Sequence, residues 1–203
     1  MATLPKLVFT EEGHLYHRDG QIIPSVTQVL SLCGIGVFGP EVPRRFIERA
    51  GEIGKAVHAC CHYLEEGTLD VETVDPAISG YAFAYHKFRE KHAPHWTHME
   101  EPMVLDGDFP FAGTPDRIGT LTLENELMRC VVDIKTAKQK QSWWPLQTSG
   151  YYLLAGGDPV RLVLHLKESG EFTLRAHRDE TDIEIFRSVL KVAHWRLANG
   201  ARL

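Results

Sequence analysis

Gly113-Thr114-Pro115-Asp116-Arg117, then Val131-Val132-Asp133-Ile134-Lys135-Thr136, then Gln147-Thr148-Ser149-Gly150-Tyr151 is the succession from which the fold is read. The middle segment is an apolar strand ending in charge. Alternation along it sends Ile134 into the core and puts Asp133 and Lys135 together on the other face. The first segment, bent at Gly113 and Pro115, brings Asp116 onto a neighbouring strand. The third places Gln147 and Tyr151 four residues apart, on one face of a predicted helix.

Working outward, apolar stretches at 99–105, 111–123 and 127–134 are separated by the turn signals Asp106-Gly107-Asp108 and Glu124-Asn125-Glu126. They predict a three-stranded meander carrying both acids. A helix is expected over 142–155, with Ser142 as its cap, Pro145 in the first turn and Gly156-Gly157 as its stop. Segments 160–166 and 172–176 form a hairpin around Glu168-Ser169-Gly170. A last helix over 180–197 presents Ile183, Phe186, Val189, Leu190, Val192 and Trp195.

Upstream, 7–23 reads as a small hairpin, with Leu7-Val8-Phe9 and Gln21-Ile22-Ile23 around the turn-rich His17-Arg18-Asp19-Gly20. Ser25-Val26-Thr27-Gln28 has the form of a capping box and opens a short helix, which Gly34, Gly36, Gly39 and Pro40 end. Two longer helices follow. One, over 43–66, has Phe46, Ala50, Ile53, Val57, Cys61 and Leu64 on its apolar face, and the other, over 75–92, has Pro76 in its first turn. This order predicts an α/β sandwich, a sheet with helices on both faces.

With 203 residues and 43% hydrophobic content, the chain is expected to form one compact unit, with 1–40 as a hairpin-and-helix extension and 41–203 as the core. Four cysteines, at 33, 60, 61 and 130, form no CxxC pair and read as free, mostly buried thiols. A net charge of -5 argues against nonspecific adhesion to nucleic acid over the whole surface, so any such contact must be local. No apolar run is long enough to span a membrane and the N-terminus has no signal-peptide pattern, so the expected location is cytoplasmic.

Two carboxylates on neighbouring strands with a lysine beside the second suit both a hard divalent cation and an attacked phosphodiester. Asp116, Asp133, the Ile134 main-chain carbonyl and waters would complete an oxygen octahedron around Mg²⁺. Each piece alone has an ordinary reading: an ion pair at a strand end, a turn aspartate, a helix-surface pair. Their joint occurrence favours a metal-dependent nuclease. Lys135, Lys138 and Lys140, followed by Trp143-Trp144, form the local basic and aromatic group for a DNA contact. His58, Cys60, Cys61 and His62 lack a zinc-knuckle pattern, and His92, His95 and His98 read as solvated histidines.

These residues resemble the PD-(D/E)XK nuclease superfamily, specifically its RecB-type exonuclease branch, which includes phage and CRISPR-associated exonucleases. The resemblance is carried by Ser25-Val26-Thr27-Gln28-Val29-Leu30, His58 in Gly54-Lys55-Ala56-Val57-His58, Asp116 in Gly113-Thr114-Pro115-Asp116, Asp133-Ile134-Lys135-Thr136, and Gln147-x-x-x-Tyr151. It implies a restriction-endonuclease-like sandwich with a central mixed sheet, spanning 1–203 as one nuclease domain. Asp116 and Asp133 would be metal ligands, His58 a further ligand and Lys135 the catalytic lysine. Gln147 and Tyr151 would hold DNA, and Glu100 or Glu101 would assist. Asp133 replaces the commoner Glu, as is usual in this branch.

The implied activity is a Mg²⁺-dependent DNA exonuclease, with Mn²⁺ able to substitute, acting on DNA ends. A homo-oligomeric assembly or a recombination partner protein fits the same branch. Some members carry an iron–sulfur cluster, but no cysteine follows Cys130, so no cluster is expected, nor is zinc. The alternative reading is a non-catalytic nucleic-acid-binding or protein-interaction module that keeps the fold.

Overall fold

The computed structural model describes residues 7–203 except 38 and 40, so the stop assigned to Pro40 and the segment 1–6 lie outside the described residues. The chain opens with three antiparallel strands, β1 (Leu7–Thr10), β2 (Leu15–Arg18) and β3 (Gln21–Ile23). The expected hairpin is therefore a meander. His17 and Arg18 look turn-like by polarity, but alternation around the fully buried Tyr16 makes them strand. Only Asp19-Gly20 turns, both with positive φ.

The capping box opens α1 (Val26–Leu32): Ser25 N donates to Gln28 Oε1 at 2.8 Å and Gln28 N to Ser25 Oγ at 3.2 Å. Next comes α2 (Arg44–Glu66), ended by Gly67 in the left-handed region. Its apolar stripe is buried only in its second half, at Val57, Cys60 and Cys61. Phe46, 56% exposed, and Ala50 run past the sheet that covers the rest. Asp75 caps α3 (Pro76–His92) by accepting from Ala77 N at 2.8 Å.

The remaining strands are β4 (His95–Met99), β5 (Met103–Leu105), β6 (Phe111–Gly113), β7 (Arg117–Leu123) and β8 (Glu126–Lys135). The last elements are α4 (Trp144–Leu154), β9 (Val160–Leu166), β10 (Phe172–His177) and α5 (Thr181–Ala198). Five strands make the central sheet, in the order β10-β9-β8-β7-β4, and β5 and β6 pair separately. Each of the first two predicted strands is thus broken, one at Glu100–Pro102 and the other at Thr114–Asp116. Pro102 and Pro115 have no N–H to give a ladder, and Glu100 has φ 54°, so the chain leaves the sheet at both places. The breaks free Glu100 and Asp116 from regular pairing at one end of the sheet.

Only β8 and β9 run parallel, joined across by α4; the other pairs in the sheet are antiparallel. Cys130, Val132 and Ile134 of β8 face the core shared with α2 and α3. Val131 faces the core shared with α1, α4 and α5. The molecule is a mixed α/β fold in which both sheet faces are covered. Val26, Val29 and Leu30 of the N-terminal α1 belong to the second core. Gly150 makes this packing fit: a Cβ there would sit 2.7 Å from Val26 Cγ1 and 2.8 Å from Phe186 Cζ.

Three details differ from the sequence reading. Trp143, not Ser142, precedes the first turn of α4, and no side chain caps it. On α5 the buried line is Phe186, Leu190 and Ala193, while Val192 and Trp195 are 49% and 66% exposed; the apolar spacing was wider than the face that packs. His92 is buried, not solvated, with Nδ1 2.8 Å from Thr122 O and its ring against Phe88 and Phe172. All four cysteines are free, and none of the described helices is long and apolar enough to cross a membrane.

Candidate active site

The end of the sheet where β8 finishes and β7 begins gathers the predicted acids. Asp133 is 1% exposed and points, with Val131, toward the α4 layer. Lys135, two residues on, reaches back so that its Nζ donates to Asp133 Oδ1 at 3.0 Å and lies 2.8 Å from Oδ2. Oδ2 has no aligned donor of its own. Burial pushes the Asp133 carboxyl up to about 6; Asp116 adds to the rise and Lys135 opposes it.

Asp116 is held from the neighbouring strand, since its Oδ2 accepts from Ile134 N at 2.6 Å. The N–H and C=O of one extended residue leave the strand on the same edge. The Ile134 carbonyl therefore points to the β7 side, beyond the last paired residues Arg117 and Val132. Asp116, Asp133 and that carbonyl are thus brought to one corner.

His58 enters from α2. Its Nδ1 lies 3.5 Å from Asp116 Oδ1 and 3.6 Å from Glu100 Oε1. Burial alone would lower the imidazole's pKa, but the two carboxylates outweigh it and raise it to about 8. Glu100, turned inward by its positive φ, is held below the usual carboxylate range: burial works against ionisation, but His58 and Arg117 prevail. Glu101 is exposed, so of the two glutamates Glu100 alone faces the acids.

Arg117 has no role in the sequence reading, yet it is the largest fully buried side chain. Its Nη1 donates to Asp116 O at 2.6 Å and to Glu100 Oε1 at 3.2 Å, while Nε and Nη2 make no well-aligned hydrogen bond, the Tyr85 hydroxyl being a further polar neighbour of the guanidinium. A buried guanidinium left half-satisfied costs free energy, and what it obtains is the fixed position of two carboxylate-bearing residues. Its only signal in the sequence was adjacency to Asp116. Three acids (Glu100, Asp116, Asp133) here face three cations (His58, Arg117, Lys135).

Gln147 and Tyr151 share a helix face and bond directly, Nε2 to hydroxyl at 3.1 Å. Gln147 is 4% exposed and its Oε1 is unpartnered, so only Tyr151 borders open space. Burial, with Asp133 and Asp116 adding to it, drives the Tyr151 phenol well above its ordinary range. It stays protonated and able to donate. Of the two tryptophans, Trp144 is a core ring, buried against His165, and half-buried Trp143 receives the Lys135 ammonium at 5.8 Å. Lys138 and Lys140 are exposed but border other depressions, Lys138 beside Tyr81 and Lys140 beside Trp144 and His177.

A cleft of about 660 Å³ opens onto this corner, lined by His58, Glu100, Asp116 and Tyr151 and also by Phe9 of β1 and Tyr16 of β2. No protein-family model matches this sequence, and no curated protein matches it. The site must speak through its own chemistry. Among the described residues no group of three His, Cys, Asp or Glu side chains is arranged to hold a metal ion. An open set of carboxylates and a carbonyl is what an oxygen-preferring ion that keeps several waters requires. Asp133 Oδ2, buried beside the Lys135 ammonium at 2.8 Å but without an aligned hydrogen bond, keeps acceptor capacity that suits such an ion.

Proposed function

We propose that this chain is a divalent-metal-dependent deoxyribonuclease of the PD-(D/E)XK type, built on the restriction-endonuclease-like sandwich that the resemblance implies, and acting at DNA ends. The observation that carries the reading is the convergence of Asp116 and Asp133 on one corner with Lys135 within 3.0 Å of Asp133. Asp116, Asp133, His58 and the Ile134 carbonyl would hold Mg²⁺ or Mn²⁺, which when bound supplies a more acidic water and positive charge against the phosphate.

Lys135 stands where its ammonium can orient an attacking water and offset charge gathering on the phosphate oxygens. Asp133 holds that ammonium and Trp143 supports it from the ring face. Arg117 keeps Glu100 and Asp116 aimed at the corner, a positioning role. Tyr151 offers a neutral hydroxyl to a non-bridging oxygen, with Gln147 fixing its ring.

Incubation of end-labelled linear DNA and closed circular DNA with Mg²⁺, Mn²⁺ or EDTA tests this. Metal-dependent loss of the linear substrate, with the circle surviving, is expected. DNA binding with no degradation under any metal would replace the proposal with the non-catalytic module.

A further inference from the structure

The cleft has a second wall that the hydrolytic reading does not use. Phe9 of β1, Tyr16 of β2 and His14 between them form an aromatic group: Phe9 to His14 at 5.0 Å edge-on, Phe9 to Tyr16 at 4.9 Å, His14 to Tyr16 at 5.5 Å edge-on. Tyr16 is the anchor, fully buried, with its hydroxyl 2.7 Å from Thr114 Oγ1, two residues from Asp116. Phe9 is half-buried, and His14 is exposed. All three line the same cleft as Asp116, and so do Lys55 and Thr27.

We infer that the Phe9–His14 wall is a base-stacking subsite, which seats one unpaired nucleotide next to the phosphodiester held at Asp116. This inference rests on the proposed nuclease reading and adds to it a preference for single-stranded ends. The volume of about 660 Å³ lies within the roughly 300–1,000 Å³ of pockets that enclose small molecules, a scale set by nucleotides rather than by a duplex. Chemistry orders the occupant within the cleft. Phe9 and His14 offer aromatic surface, whereas Lys55, near enough for its charge to act on His14, and His58, beside Asp116, supply positive charge for a phosphate. The base therefore goes to Phe9 and His14, and its phosphate toward Lys55 and His58.

Aromatic faces accept any base, so the subsite selects for strandedness and not for sequence. A paired base keeps its stack within the duplex and cannot offer a free face. His14 sits at φ 51° after Gly13 at φ 77°, and Gln28 Nε2 donates to its carbonyl at 3.5 Å. The imidazole lines the cleft, edge-on to Phe9 and Tyr16, and burial and Lys55 lower its pKa, favouring the neutral ring.

Two readouts on the intact protein test the subsite. In EDTA, binding is compared for a single-stranded oligonucleotide and the same strand with abasic residues at its last two positions; in Mg²⁺, kcat/KM is compared for the pair. The intact strand is expected to bind about five- to a hundredfold more tightly, with kcat/KM following. His14→Asn, which tolerates the same backbone conformation and is checked by its melting temperature, should narrow that difference. Equal binding of the two strands, or an undiminished preference in a folded His14→Asn, overturns the subsite. Absence of hydrolysis of every substrate would overturn the nuclease proposal instead, and the EDTA comparison would still decide the subsite.

Discussion

Two arginines are buried in this fold, and they are satisfied to very different degrees. Arg161 on β9 is 3% exposed, and its guanidinium donates to Pro145 O, Ser149 Oγ, Asp182 Oδ2 and Asp179 O. It ties the start of α4 and the start of α5 to the sheet. Arg117 on β7 is fully buried, yet two of its three nitrogens make no well-aligned hydrogen bond, with the Tyr85 hydroxyl as a further polar neighbour, and its bonds go to Asp116 and Glu100. Interiors normally match every buried donor, so an unmatched one marks where something other than stability is served. One arginine is a structural tie; the other holds acids in place at a cost.

The largest effect should come from the group that Arg117's end of the sheet exists to position. Lys135→Ala is expected to lower DNA hydrolysis by about a hundred- to a thousandfold, the usual cost of removing one group that stabilises developing charge. Circular dichroism should show the fold intact, because the Lys135 ammonium touches only Asp133 and the Trp143 ring. Undiminished hydrolysis would remove Lys135 from the mechanism.

Arg161→Met should be the reverse case. Four acceptors lose their donor at once, so chemical denaturation should report a loss of about 2–5 kcal/mol, with hydrolysis per folded molecule unchanged. Arg117→Lys lies between the two. A lysine keeps the charge and loses the fork, so activity should fall about ten- to a hundredfold while stability drops less than in Arg161→Met. A larger stability loss at Arg117 than at Arg161 would break the contrast.

Part of this contrast was legible in the sequence and part was not. Strand alternation put Lys135 beside Asp133, and helical spacing put Gln147 on Tyr151; both are local rules, and the structure has both contacts. The capping box at Ser25 is equally local. Glu100 could not be separated from Glu101 because the choice depends on a positive φ at Glu100, which no side-chain pattern announces. Arg117 was quoted only as the residue after Asp116, since its partner Glu100 lies 17 positions away across a break in pairing. Lys138 and Lys140 were drawn toward the site by proximity in the chain, but the loop after Lys135 turns them to other surfaces.

The smallest effect is on pH. His177, 3.1 Å from Thr148 Oγ1, has its pKa lowered to about 4 by burial first and then by Arg161, Arg175 and Lys140. The fold therefore favours neutral imidazole. That contribution is fully present above the unfolded pKa of about 6.5 and is lost as pH falls from there toward 4, because the unfolded chain then binds the extra proton. His177→Gln should flatten the stability profile across that window. NMR of Arg161→Met should show the His177 pKa moving up toward its ordinary value, which sharpens the assignment of Arg161 as the cation that dominates its own end of the sheet.

The claim on which the account turns is that the acid corner is built for a divalent cation. Mn²⁺ binding by isothermal titration, on the wild-type chain and on Asp133→Asn, tests it without reference to activity. Saturable binding in the wild type that disappears, or weakens at least about tenfold, in Asp133→Asn is the result predicted. Identical Mn²⁺ binding by the two proteins would contradict it.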